Sequence, residues 1–123
     1  MVTMDSYAKN NPAVVTKVVT AMILAARWIM NNRAQASTVI TDYLKLGSSL
    51  SNYVLPDWSM NGLALTKSYN WWGNLLYAYG TITSPINATS FYDPTYVNQA
   101  LKNVGTVQDT SFTAVENLPL PSP

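Results

Sequence analysis

Residues 10–32 read NNPAVVTKVVTAMILAARWIMNN, and this stretch sets the fold class. Asn10 and Asn11 are helix-capping residue types, and Pro12 suits the first helical position, where an amide hydrogen would have no intrahelical acceptor. Val14, Val15, Val18, Val19, Met22, Ala25, Ala26 and Ile29 follow the 3.6-residue period on one face. Ile23, Leu24, Trp28 and Met30 add apolar surface around the rest, so the stretch predicts a helix over 12–31 covered on more than one side. Lys17 and Arg27 leave only nine uncharged residues between them. A membrane span needs roughly 20 predominantly apolar residues, so no membrane span is expected here. Asp5, and Pro12 ahead of the apolar run, do not suit a signal peptide.

Working outward, a second helix fits 33–46, with Ala36, Val39, Ile40, Tyr43, Leu44 and Leu46 inward and Gly47 as a left-handed stop. Ser48 or Ser49 opens a short third helix through Leu50, Tyr53, Val54 and Leu55, which Pro56 ends, giving 48–55. Residues 57–62, rich in Asp, Ser, Asn and Gly, read as a turn. A fourth helix is expected over 63–79, with Leu65, Tyr69, Trp72, Leu75, Leu76 and Tyr79 at spacings of three and four and Gly80 as its stop. A polar loop leads to Asp93-Pro94, an N-cap followed by proline, and a fifth helix over 94–104 runs through Val97, Ala100, Leu101 and Val104 to Gly105. The chain is expected to be all-α, with about five helices in a helical domain at 1–105 and a proline-containing tail or linker at 106–123, where Leu118 to Pro123 alternates with proline.

The 123 residues carry only 11% charge and a formal net charge of +1. Soluble domains average roughly 25% charge, so uncharged side chains supply most of the polar surface. Twelve Asn, thirteen Thr, eleven Ser and eight Tyr do so. There is no histidine and no cysteine. A Ser-His-Asp triad, a Cys nucleophile, a thiolate or imidazole metal site and a histidine switch are therefore excluded. Asp5, Asp42, Asp57, Asp93, Asp109 and Glu116 are scattered singly and read as solvated surface acids. Lys9, Lys17, Arg27, Arg33, Lys45, Lys67 and Lys102 are equally dispersed, without the cluster that phosphate neutralisation requires. The residues predict no enzyme activity, no cofactor, no metal site and no nucleic-acid partner.

Two motifs stand out. Trp71-Trp72 lies mid-helix, where an exposed indole pair could stack on a sugar or planar ligand, although one of two helix neighbours generally packs inward. These two are the candidate ligand-binding residues, with core or interface packing the favoured role. Asn87-Ala88-Thr89 is an N-glycosylation sequon, which with the uncharged polar composition leans toward a chain facing the outside of a cell; its other reading is an ordinary loop Asn.

Asn11-Pro12-Ala13-Val14-Val15, Ala25-Ala26-Arg27-Trp28 and Asn32-Arg33-Ala34-Gln35-Ala36 together resemble the NP-x-V-V and A-x-x-W-x-x-x-N-x-x-x-A stretch of nitrate/sulfonate/taurine-type ABC-transporter substrate-binding proteins. Asp42 to Gly47 and Leu55-Pro56-Asp57-Trp58-Ser59 are similar to the helix end and connection that follow in that family. Trp72 to Gly80, Ile82, Pro85 and Phe91 to Leu101 are similar to its last helices. The resemblance covers about residues 10–105. It implies the C-terminal helical portion of a two-lobed α/β solute-binding fold, type II in class, for small anions or sulfonates, with the ligand residues mostly in sequence outside this chain. It further implies an extracellular or periplasmic location, membrane association through a segment not present here, and an ABC permease as partner once the other lobes are present. The alternative is a stand-alone all-α module that self-associates, and a homo-oligomer is expected of the chain in isolation. An enzyme on the related fold used in thiamin-pyrimidine synthesis fits poorly, since the histidine such chemistry is expected to use is absent.

Overall fold

A computed structural model describes residues 3–45, 58–64 and 66–109. Within them the chain is all-α: α1 (Asp5–Asn10), α2 (Pro12–Asn31), α3 (Arg33–Tyr43), α4 (Thr66–Ala78), a 3-10 turn at Ala88–Ser90, and α5 (Thr95–Val104). The helix expected over 48–55, the stop at Gly47 and residues 110–123 of the expected tail lie outside the described residues.

α2 has the bounds its sequence predicts, but its capping differs. Asn11 and Asn32, at its two ends, take nearly the same backbone conformation, φ −132°, ψ 49° and φ −134°, ψ 44°. Each turns its side chain backward: Asn11 Nδ2 donates to Tyr7 O at 3.1 Å and Asn32 Nδ2 to Trp28 O at 2.9 Å. Each main-chain carbonyl meanwhile accepts from the next helix, Asn11 O from Val14 N and Val15 N, and Asn32 O from Ala36 N. A single asparagine thus closes one helix and opens the next, so α1, α2 and α3 follow each other without a loop. α1 is a helix that the sequence reading leaves out; its local support is the exposed Lys9–Asp5 pair at 2.7 Å, an i,i+4 contact worth a few tenths of a kcal/mol.

The buried arc of α2 is Val15, Val19, Ile23 and Ala26. It packs on α5 in the most extensive helix pairing of the structure, where Ala100 is buried and Tyr96, Val97, Leu101 and Val104 close around it, with Ala8 of α1 at one end. The expected α2 face was broader. Val14, Val18 and Met22 are exposed, because α5 covers only the arc centred on Val19 and Ile23. On α3, only Ala36 and Thr41 are buried, while Val39, Tyr43 and Leu44 face solvent. With no packing to extend it, α3 stops at Tyr43 rather than at residue 46, and Lys45 takes the left-handed conformation itself at φ 53°.

The turn read over 57–62 is present in its described part, with Gly62 N donating to Ser59 O. Gly62 has φ +67°, and a Cβ there would stand 3.0 Å from Ile23 Cγ1, so glycine is needed for both backbone and close approach. Ser59 Oγ accepts from Leu63 N, which commits residues 62–64 to the turn. α4 accordingly begins at Thr66 instead of 63. It ends as expected at Gly80: Thr81 N donates to Leu76 O and Gly80 N to Tyr77 O, a Schellman closure with Gly80 at φ +69°.

Candidate functional site

Trp71 and Trp72 meet edge to face, with ring centroids 5.0 Å apart and planes at 75°. Trp71 is half-buried and Trp72 exposed. The face expected to pack inward, Tyr69, Trp72 and Leu76, is instead turned to solvent, and the position α4 buries is Gly73. The reason is steric: a Cβ on Gly73 would lie 2.7 Å from Ile86 Cβ, so the loop after α4 folds back onto the one helical position without a side chain. Asn70, one turn away, accepts from Ala88 N at 2.6 Å and ties down the same loop. Trp72 forms part of an exposed surface with Tyr69 and Leu76.

The densest polar cluster joins three distant segments and is invisible in the sequence. Arg27 Nε donates to Met60 O at 2.8 Å, its NH1 to Val104 O at 3.1 Å, and its NH2 to Gly105 O at 2.7 Å and Asn61 Oδ1 at 3.3 Å. A guanidinium on the last carbonyls of α5 also faces the negative end of that helix. Asp109 Oδ2 accepts from Ser59 Oγ at 3.0 Å, Met60 N at 2.6 Å and Asn61 N at 3.3 Å. Residues 106–109, placed by the sequence reading at the start of the tail, are thereby fastened to the 59–61 turn. The partners of Arg27 are main-chain and amide oxygens, so the cluster's chemistry is that of a clasp.

Outside the clasp, Asp93 and the Lys9–Asp5 pair stand on the surface. Hydrogen bonds from the Thr95 hydroxyl and then the Thr95 backbone hold the Asp93 carboxyl below its ordinary value. Asp5 raises Lys9, first by its hydrogen bond and then by its charge. Among the described residues no three acidic, cysteine or histidine side chains converge in a way that could hold a metal ion.

α2 keeps a second, uncovered stripe of Val14, Val18, Met22 and Trp28 flanking the α5 contact, and Leu24 is exposed as well. With 20 residues and a mean hydropathy of 1.7, α2 is long and apolar enough to cross a membrane by length and composition. Mostly buried core helices and N-terminal signal sequences share that property, and 22% of the apolar window of α2 is buried. Val15, Val19 and Ile23 of α2 pack on α5, and Arg27 is bonded to residues 60, 61, 104 and 105. Comparison of the chain with protein-family models, with curated proteins and with solved structures finds no match.

Proposed function

We propose that the chain is the C-terminal helical portion of an ABC-transporter solute-binding protein for small anions or sulfonates, and that it supplies packing surface to that protein rather than ligand contacts. One observation carries the reading: the helices are firmly joined yet incompletely covered. Five of the eight buried hydrophobic residues described are alanine, and the largest fully buried side chain is Ile23. Meanwhile the Val14–Val18–Met22 stripe and the Tyr69–Trp72–Leu76 face stand in solvent. Full burial of a Val, Leu or Met is worth about 1.5–3 kcal/mol, and these side chains are still 36–56% exposed, so cover on the two faces would add stabilisation that the helices by themselves do not realise. Helices of a larger α/β protein, whose outer faces are covered by the rest of the lobe, have this distribution. The order of a capped long helix, an Asn joint, a second helix, a Gly turn and two closing helices agrees with the resemblance noted above.

Calorimetric titration with nitrate, taurine and alkanesulfonates tests it, using the chain alone and the chain mixed with the product of the adjoining reading frame. No complex alone and a one-to-one complex in the mixture is expected. Micromolar binding by the chain alone, lost in Trp71→Ala or Trp72→Ala, overturns the reading, and so does a mixture that does not associate.

A second reading is favoured by one detail of α2. Val14, Val18, Ala21, Ala25 and Trp28 are all exposed and spaced four, three, four and three, the seam a second helix would use. In that case the chain is a self-associating all-α module, and a stable dimer that binds no solute in either titration supports it over the first.

A further inference from the structure

We propose that Asn87 is an acceptor for N-linked glycan. The proposal rests on the chain being exported, as the solute-binding reading requires, and is independent of any solute. Asn87-Ala88-Thr89 is the chain's one Asn-x-Ser/Thr triplet with x other than proline. A triplet alone is weak, and the structure adds where it stands.

The loop after α4 is pinned on both sides of Asn87. Ile86 closes on Gly73, and Ala88, completely buried, donates its amide hydrogen to Asn70 Oδ1 at 2.6 Å. Asn87 between them is extended, with φ −107° and ψ 107°, so its side chain points away from α4 and is exposed. The Thr89 hydroxyl and backbone N–H both donate to Asn87 Oδ1, at 2.7 Å and 3.1 Å. The backbone donor fixes which end of the amide faces Thr89, so Nδ2, the atom to which a glycan is joined, is the end turned outward. The hydroxyl that the triplet requires is therefore already bonded to the amide it serves, on a rigid platform rather than a buried strand.

In the transfer, Asn87 Nδ2 forms a bond to the anomeric carbon of a lipid-pyrophosphate-linked oligosaccharide. The bond from that carbon to the pyrophosphate oxygen breaks with its electron pair, and the amide nitrogen gives up one proton. The donor and the transferase belong to the membrane across which the chain is exported.

The test is mass spectrometry of the full chain from its source cells after tryptic cleavage. Cleavage at Lys67 and Lys102 releases residues 68–102 as one peptide, because no other Lys or Arg lies between them. The expected result is hexose or N-acetylhexosamine increments on that peptide, sited at Asn87 by fragmentation, lost in Asn87→Gln and in Thr89→Ala but kept in Thr89→Ser. A wholly unmodified peptide from exported chain overturns the proposal and leaves the solute-binding reading standing. Increments that survive both Asn87→Gln and Thr89→Ala also overturn it.

Discussion

Asn61 and Val107 pair like neighbours in a sheet although one lies in the turn before α4 and the other just after α5. Asn61 Nδ2 donates to Val107 O at 2.8 Å, and Val107 N donates to Asn61 Oδ1 at 3.0 Å. The side-chain amide of one residue takes the place of a backbone peptide for the other. Asn61 Oδ1 also accepts from Arg27, so this pair is the centre of the clasp that binds the 59–61 turn and residues 104–109 to α2.

Removing the guanidinium from that clasp should be costly. Arg27→Met keeps the apolar stem and leaves the carbonyls of Met60, Val104 and Gly105 without their donor. A loss of about 2–4 kcal/mol is expected, since partly buried acceptors lose a charged partner. Arg27→Lys should recover less than half of it, because one ammonium cannot span acceptors that the planar fork reaches together. Urea unfolding followed by tryptophan fluorescence at one fixed protein concentration measures both; equal midpoints for wild type and Arg27→Met would show that the clasp holds nothing.

Gly62 and Gly80 share a left-handed backbone but not an environment. At Gly80 no atom lies within 4 Å of an added Cβ, whereas at Gly62 Ile23 Cγ1 lies at 3.0 Å. Gly80→Ala should cost the conformational term alone, about 1 kcal/mol, and Gly62→Ala that term plus displacement of the core, about 2–3 kcal/mol. Thermal unfolding of the two variants side by side tests the ranking, which fails if Gly80→Ala is the more destabilised.

Asp93 gives α5 a sensitivity to acid. Its carboxyl titrates below the ordinary value because Thr95 donates to the charged form, with Thr95 N at 2.9 Å. A carboxyl depressed in the folded state stabilises fully above its unfolded pKa of about 3.9, and the contribution fades as pH falls through the lower folded value. The protection of the Thr95 amide against exchange, taken relative to its intrinsic rate at each pH, should therefore fall on acidification, and Asp93→Asn should flatten that dependence. A slope unchanged in Asp93→Asn would assign the acid response elsewhere.

The two faces of α2 should respond oppositely to substitution. Ile23→Ala removes the largest fully buried side chain and should cost about 2–5 kcal/mol. Val18→Glu and Met22→Glu fall on the exposed stripe and should leave helicity unchanged while lowering association. Light scattering is the measurement: the wild-type chain should exceed its monomer mass of 13.5 kDa as concentration rises, and the Glu variants should not. A wild-type monomer at high micromolar concentration would remove the need for any cover on this face.

The sequence by itself determined α2, the end of α4 and the face of α5, but not α1, the end of α3 or the start of α4. The 3.6-residue period of Val15 to Ala26, Pro12 at a first turn, the stop at Gly80 and the Val97–Ala100–Leu101–Val104 stripe act within a few residues of each other, so local composition suffices to read them. It also displayed Trp71-Trp72 and the Asn87 triplet, which are contiguous. What it left undetermined was which apolar arc is covered. Periodicity says that a helix has an apolar side, but on α2 apolar residues run most of the way round, and only the position of α5 makes Val19 and Ile23 core while leaving Val18 and Met22 in water. On α4 the period pointed to Tyr69, Trp72 and Leu76, yet Gly73, with no side chain to count, gave the loop its place to land. The Arg27, Asn61 and Asp109 clasp was likewise decided by tertiary structure alone. Its bonds join residues far apart in sequence, and each depends on where a turn and a helix end come to rest rather than on any neighbour in the chain.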